Sequence, residues 1–329
     1  MTDGHTGAVS AATRTLTLEH LRAAPGERAT GMVPVDLGAT TVQIAVVLVN
    51  GARPGPRVGV TAGIHGAEYV SIAALRRVAM SLDPAEMTGS LVASLVSNPA
   101  AFAARSIYVD PLDGRNLNRT FPGDPAGGPT ERLAAWLYAN IIAPSDRFID
   151  CHCGDMNEAL VSFNGIEETG DPDVDRVTLA MAEAYGLDYL LYGPTPGSTT
   201  TVAAAAGIPA VLGEVGGQGL WPEQDVALHA AGLRRALHAA GLIPDPGDGP
   251  RRTTRVLHAE AWLRSDATGF WHPTVGVGER VAQDQVVGEV QNAFGATIQL
   301  VHAPMSGIVL FIVSSLAMNA GDPLLAIAD

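Results

Sequence analysis

The chain has 329 residues, 47% of them hydrophobic, and its 34 acidic side chains against 20 basic ones leave a net charge of −14. That length holds one large domain with a satellite, or two ordinary domains around a sizeable core, while the acidic balance argues against broad contact with nucleic acid or an anionic membrane. All twenty basic residues are arginine, which excludes Schiff-base chemistry on lysine and lysine-tethered biotin or lipoate.

Residues 1–29 read as a polar, alanine-rich leader with one short helix over Leu16–Ala23 and no apolar signal segment. Two alternating runs, Gly31–Leu37 and Thr41–Leu48, joined by Gly38 and Ala39, predict a hairpin. The strand Val58–Ala62 then turns at Gly63 and Gly66 into a helix over Tyr69–Ser81, with Val70, Ala74, Leu75 and Val78 on one face. A strand over Ser90–Ser97 stops at Asn98-Pro99. The Gly-, Pro- and Asn-rich segment 100–129 follows, too long for an idle loop. Thr130 is the expected cap of the next helix, and the strand Arg147–Asp150 runs into Cys151-His152-Cys153. Beyond it come a strand at Ala159–Phe163, a helix at Pro172–Tyr185, a short run at Tyr189–Tyr192 and a helix at Thr199–Ala206. A strand at Pro209–Leu212 and a helix from Glu223 to about Ala240 close this part.

Strands alternating with helices imply an α/β fold with a mainly parallel or mixed sheet and helices on both faces. The catalytic domain is expected over 30–241, a linker at 242–250, and a small all-β domain over 251–329 with turn-rich strands. That last part resembles the barrel-sandwich modules that carry biotin or lipoate. Without lysine it serves as a lid or wall for a pocket. Cys151 and Cys153, spaced as on one strand at roughly 7 Å, strain any disulfide and read as free thiols of a cytoplasmic protein. No apolar run reaches the ~18 residues of a membrane span.

His65 and Glu68 sit three apart at the strand-to-helix turn, a spacing common on any solvated helix when taken alone. Two further strand ends change the weight of the pair. His152 ends the Arg147 strand and Glu214 follows Pro209–Leu212, and ligands of α/β sheets bind beyond such carboxyl ends. Two imidazoles and a carboxylate with an open position make a common catalytic zinc set, and a spare carboxylate, Glu214, supplies a general base. His5, His20, His229 and His238 invite ordinary surface or core roles; so do His258, His272 and His302 of the β domain, with one of these three reaching the pocket as the alternative.

In order along the chain, Gly63–Glu68, Asn98-Pro99-Ala100-Ala101, Asp113–Pro122, Asp150-Cys151-His152 and Glu214-Val215-Gly216 resemble the succinylglutamate desuccinylase/aspartoacylase family, of zinc carboxypeptidase-like fold. The likeness covers residues 30–240. It implies one Zn²⁺ per chain on His65, Glu68 and His152. It also implies Glu214 as general base and acid, Arg105 as the group polarising the scissile carbonyl, and Asn118 with Arg119 as the grip on the substrate's α-carboxylate. Arg115 is an alternative for either arginine, and Asp150 either orients His152 or simply finishes its strand.

The implied reaction is hydrolysis of a small N-acyl amino acid. A carboxypeptidase on short peptides and a non-catalytic binding protein of the same fold are the alternatives; a homo-oligomer is compatible with the sequence. One departure bears on substrate: aspartoacylase-like enzymes place an arginine for a side-chain carboxylate in the stretch matching Gly193–Ala206, and this chain has none there. That argues against N-acetylaspartate. Glu158, Glu167 and Glu168 suit a neutral or cationic side chain, as in N-acetyl-diaminobutyrate deacetylases.

Overall fold

The computed structural model describes residues 14–247, 254–258 and 260–329. The first thirteen residues of the expected leader, with His5, and the last three of the expected linker lie outside them. The helix expected over Leu16–Ala23 is instead a pair of strands, β1 (Leu16–Leu18) and β2 (Leu21–Ala23), paired antiparallel through a turn at Glu19 with φ 51°. The reason is a period of two: Leu18, Leu21 and Ala23 are buried while Thr17 and Arg22 are exposed, so pairing puts every apolar side chain on the core.

Strands β3 (Glu27–Asp36) and β4 (Thr41–Asn50) form the predicted hairpin, closed by the Leu37 N–H on the Thr40 carbonyl at 2.8 Å. The chain continues through β5 (Arg53–Ala62), α1 (Tyr69–Ser81), β6 (Thr88–Ser94) and α2 (Pro99–Ala104), whose cap is the Asn98 side chain. Next is α3 (Pro129–Leu137). It starts from Gly128 rather than from Thr130: Glu131 accepts the Gly128 N–H at 2.8 Å, and Thr130 donates its hydroxyl to Asp113 instead.

After β7 (Arg147–His152), the single strand expected at Ala159–Phe163 proves to be two, β8 (Glu158–Leu160) and β9 (Phe163–Ile166), serving different sheets. Then come α4 (Pro172–Tyr185), β10 (Tyr189–Tyr192), α5 (Thr199–Ala205), β11 (Ala210–Glu214), α6 (Glu223–Ala239) and β12 (Arg255–Leu257). The rest is all strand: β13 (Glu260–Arg264), β14 (Gly269–Pro273), β15 (Arg280–Val281), β16 (Val286–Gln291), β17 (Thr297–His302), β18 (Gly307–Val313), β19 (Ala317–Met318) and β20 (Pro323–Ala328).

The large sheet is mixed and has nine strands in the order β12-β10-β9-β11-β7-β5-β6-β4-β3, with β7 parallel to both β5 and β11 at its centre. Alternate residues feed the two faces. Val47 and Val49 join α1, α4 and α6 in one core, while Val46 and Leu48 join α3 and α5 in the other. A third core fills the C-terminal part, where all seven residues of β18 are buried.

Two strands cross between these parts. β12, beyond the linker, pairs with β10 at the edge of the large sheet, and β8 pairs with β18 of the C-terminal sheet. Among the described residues no helix is long and apolar enough to cross a membrane.

Candidate active site

Because β5, β7 and β11 are parallel neighbours, their carboxyl ends open on one rim, with Ala62 opposite Cys151 and His152 opposite Glu214 in register. The turn after β5 carries His65 and Glu68. Gly66 is required there: a Cβ would lie 2.1 Å from the Phe102 nitrogen and 2.2 Å from the Ala101 carbonyl carbon, so the backbone of α2 presses directly on the turn. Gly66→Ala is therefore expected to cost about 3 kcal/mol, the upper end of overpacking. The effect is read as a lower urea midpoint at unchanged slope.

His65 Nδ1 lies 2.6 Å from Glu68 Oε1, and His152 Nδ1 lies 2.9 Å from Glu68 Oε2. The imidazole rings are 5.3 Å apart between centroids. The outer nitrogens decide which tautomer each ring holds. His152 Nε2 donates to Asp150 Oδ2 at 2.8 Å, and His65 Nε2 donates to the Asn116 side-chain oxygen at 3.1 Å. Both Nδ1 lone pairs thus face a carboxylate that has only acceptors to offer. Such a contact is stable only with a proton or a cation between the atoms.

The candidate ligand atoms of His65, Glu68 and His152 all lie within 4.8 Å of one another, and this group could hold a metal ion. Two imidazole nitrogens and a carboxylate suit a divalent cation of intermediate softness. Without such an ion, and against the cost of burial, the imidazoles of His152 and His65 pull the Glu68 carboxyl down to about 2. In the same way, burial opposes charge on His152, but the Asp150 and Glu68 carboxylates push its pKa well up.

Asp150 is wholly buried and is itself held by Thr61, at 2.6 Å, and by Thr199. It orients His152 and does not finish its strand, since β7 runs on to His152. Removing it as Asp150→Ala is expected to weaken metal binding about 10- to 100-fold, measured by competition with a chromogenic chelator. Behind the rim, His229 Nε2 donates to the His152 carbonyl at 2.9 Å and Tyr185 donates to His229 Nδ1 at 2.7 Å. Burial holds this ring neutral, with its pKa pushed down to about 4, in an ordinary satisfied core role.

Glu214 faces the same cavity, and its Oε2 is buried without a hydrogen-bond partner. Burial first, and then the Glu68, Glu158 and Asp150 carboxylates, raise its pKa well above the usual range. An ionisable group with one free oxygen beside a cation-binding set is well placed to accept a proton.

The cavity holds about 390 Å³. Asn118 and Arg119 line it as expected; Asn118 Oδ1 accepts the Thr199 N–H at 3.1 Å, which locks the amide against α5. Arg105 is not among the lining residues. It is exposed at the end of α2 with φ 56°. Arg115 is turned away, paired with Glu131 at 2.8 Å.

Among the lining residues that escaped the sequence reading are Glu260, Trp262 and Arg264, all on β13. Their signal was the alternation along Glu260–Arg264, which puts those three on one face. None of the histidines of this part, His258, His272 and His302, lines the cavity.

A model of the succinylglutamate desuccinylase/aspartoacylase catalytic domain matches residues 54–240, and the chain belongs to that family. It is 28% identical over 301 residues to the N-alpha-acetyl-L-2,4-diaminobutyric acid deacetylase of Halomonas elongata, covering 89% of this chain and 86% of the relative. Among solved structures it is similar to a succinylglutamate desuccinylase/aspartoacylase from Rhodobacter sphaeroides, with TM-score 0.82 and 27% identity over 92% of this chain and 95% of the other. The product-bound ectoine utilization protein EutE (DoeB) from Ruegeria pomeroyi shares the fold, with TM-score 0.82 and 24% identity over 92% of this chain and 94% of the other.

Proposed function

We propose that this chain is a zinc-dependent amidohydrolase that removes a small acyl group from the α-nitrogen of an amino acid whose side chain is short and neutral or cationic. The observation that carries the reading is the meeting, on one small cavity, of the His65, Glu68 and His152 donor set with the unpartnered Glu214 carboxylate. The deacetylase relative supports the acyl amino acid as substrate class, and the absence of arginine from Gly193–Ala206 supports a side chain without a carboxylate.

Bound to His65, Glu68 and His152, zinc would bring the pKa of a water toward ~7 and polarise a carbonyl oxygen. Glu214 takes the proton from the attacking water at its free Oε2 and returns it to the departing amine. Arg119, beside the amide of Asn118, offers a planar guanidinium for the α-carboxylate, which lysine could match only as a point charge. The family motif supports Arg105 as the group facing the scissile carbonyl; its exposed place at the end of α2 gives that role less support than the cavity gives Arg119.

The reading is tested by a hydrolysis screen of zinc-loaded protein on N-acetyl and N-succinyl amino acids beside dipeptides. Turnover of Nα-acetyl-2,4-diaminobutyrate above N-acetylaspartate is expected. Cleavage of dipeptides alone would make the chain a peptidase, and a metal-replete protein that cleaves neither class would make it a binding protein.

A further inference from the structure

Glu158 is the second carboxylate of the cavity that the metal set does not use, and it is built in more firmly than a surface acid. Its backbone N–H reaches the Asp155 carbonyl at 3.0 Å, its carbonyl accepts the Gln218 N–H at 2.9 Å, and it opens β8, which is fixed in register against Val313 of β18. Its side chain is equally held: Oε1 accepts the Tyr108 hydroxyl at 2.8 Å and Oε2 accepts the Asp155 N–H at 2.8 Å. These partners are neutral. Among the described residues no ion pair includes Glu158, although the residue is only partly exposed.

A carboxylate partly withdrawn from water on a cavity wall, with oriented lone pairs and no counter-charge, is a ready receptor for a cation. Burial, with the Glu68 and Asp155 carboxylates adding to it, accordingly pushes the Glu158 carboxyl up to about 7. The protein's own cations in the cavity are otherwise engaged. Arg119 donates to the Asn118 carbonyl at 2.7 Å, and Arg264 donates to the Gly321 carbonyl at 2.9 Å. Glu260, the remaining acid of the wall, is exposed and can keep its hydration.

We propose that Glu158 determines specificity by receiving a positively charged group on the substrate's side chain, so that the preferred substrate is the Nα-acyl derivative of a short diamino acid. This rests on the amidohydrolase reading and deepens it. Tyr108 and the Asp155 amide hold the carboxylate still, and the ammonium supplies the counter-charge that the fold leaves out.

The test compares two ligands that differ by one amino group, L-2,4-diaminobutyrate and L-2-aminobutyrate, titrated calorimetrically into zinc-loaded full-length protein. The wild type is expected to favour the diamino acid by about 10- to 100-fold. Glu158→Gln keeps an acceptor for the Asp155 amide and turns an NH2 toward the Tyr108 oxygen, which can accept it, but brings the ratio of the two affinities close to one, while Glu158→Asp retains part of it. The same ratio is expected in kcat/KM for the two Nα-acetyl amides.

A wild type with no preference, or a Gln variant that keeps it, overturns the assignment. Thermal unfolding of both variants near the wild-type temperature separates lost recognition from lost fold. Because binding is measured apart from turnover, a protein that prefers the diamino acid yet hydrolyses no amide refutes the amidohydrolase reading and leaves Glu158 its role. One that hydrolyses both amides equally does the reverse.

Discussion

Glu214→Gln is expected to lower kcat by about 10²–10⁴, the usual contribution of general acid–base help, while the zinc content stays at that of the wild type. The substitution keeps shape and volume at the end of β11 and removes only the ability to take and return a proton. Oε2 has no hydrogen-bond partner, so the change breaks no bond there. As a base Glu214 must be ionised, so wild-type turnover rises as pH climbs through its pKa, which burial has moved upward. The residual activity of the variant should lack that limb. Full turnover in Glu214→Gln would assign the proton transfer to another group.

His65→Ala should have the second large effect, taking metal content from about one ion per chain to near zero, because a three-ligand catalytic site that loses one protein ligand no longer closes around the ion. His65 is the most accessible of the three, with 13% of its side chain exposed, so its loss disturbs the core least. Metal content by emission spectroscopy reads the result directly. A parallel measurement is the melting temperature with and without a chelator: an ion that binds only the folded chain raises stability by mass action. The wild type should lose that increment on chelation, and the variant should show none to lose.

The path from residues to site was readable where the hydrophobic period is long and punctuated. The run Val58–Ala62, two glycines and the face Val70, Ala74, Leu75, Val78 leave one solution, and α1 and α4 start and stop where the sequence puts them. The convergence of His65, His152 and Glu214 followed from a single rule about strand ends. Short elements were not readable in this way. The four apolar residues of Leu16–Ala23 fit a helix turn as well as two strands, and burial against β3 and β4 decided between them. Nothing local in Arg255–Leu257 says that it joins a sheet begun two hundred residues earlier. The cavity wall at Trp262 depends on contacts equally remote, such as its ring 5.1 Å from that of Phe311.

The reciprocal pairing of β8 with β18, and of β12 with β10, gives each half of the molecule a strand that the other half owns. Severing the peptide between residues 247 and 254 and discarding the tail would uncover a row of amide groups along β10 and let the segment bearing Glu158 drift from its anchor. The catalytic portion and its appendage therefore behave as one inseparable body, and selectivity for the guest is stored in the seam between them.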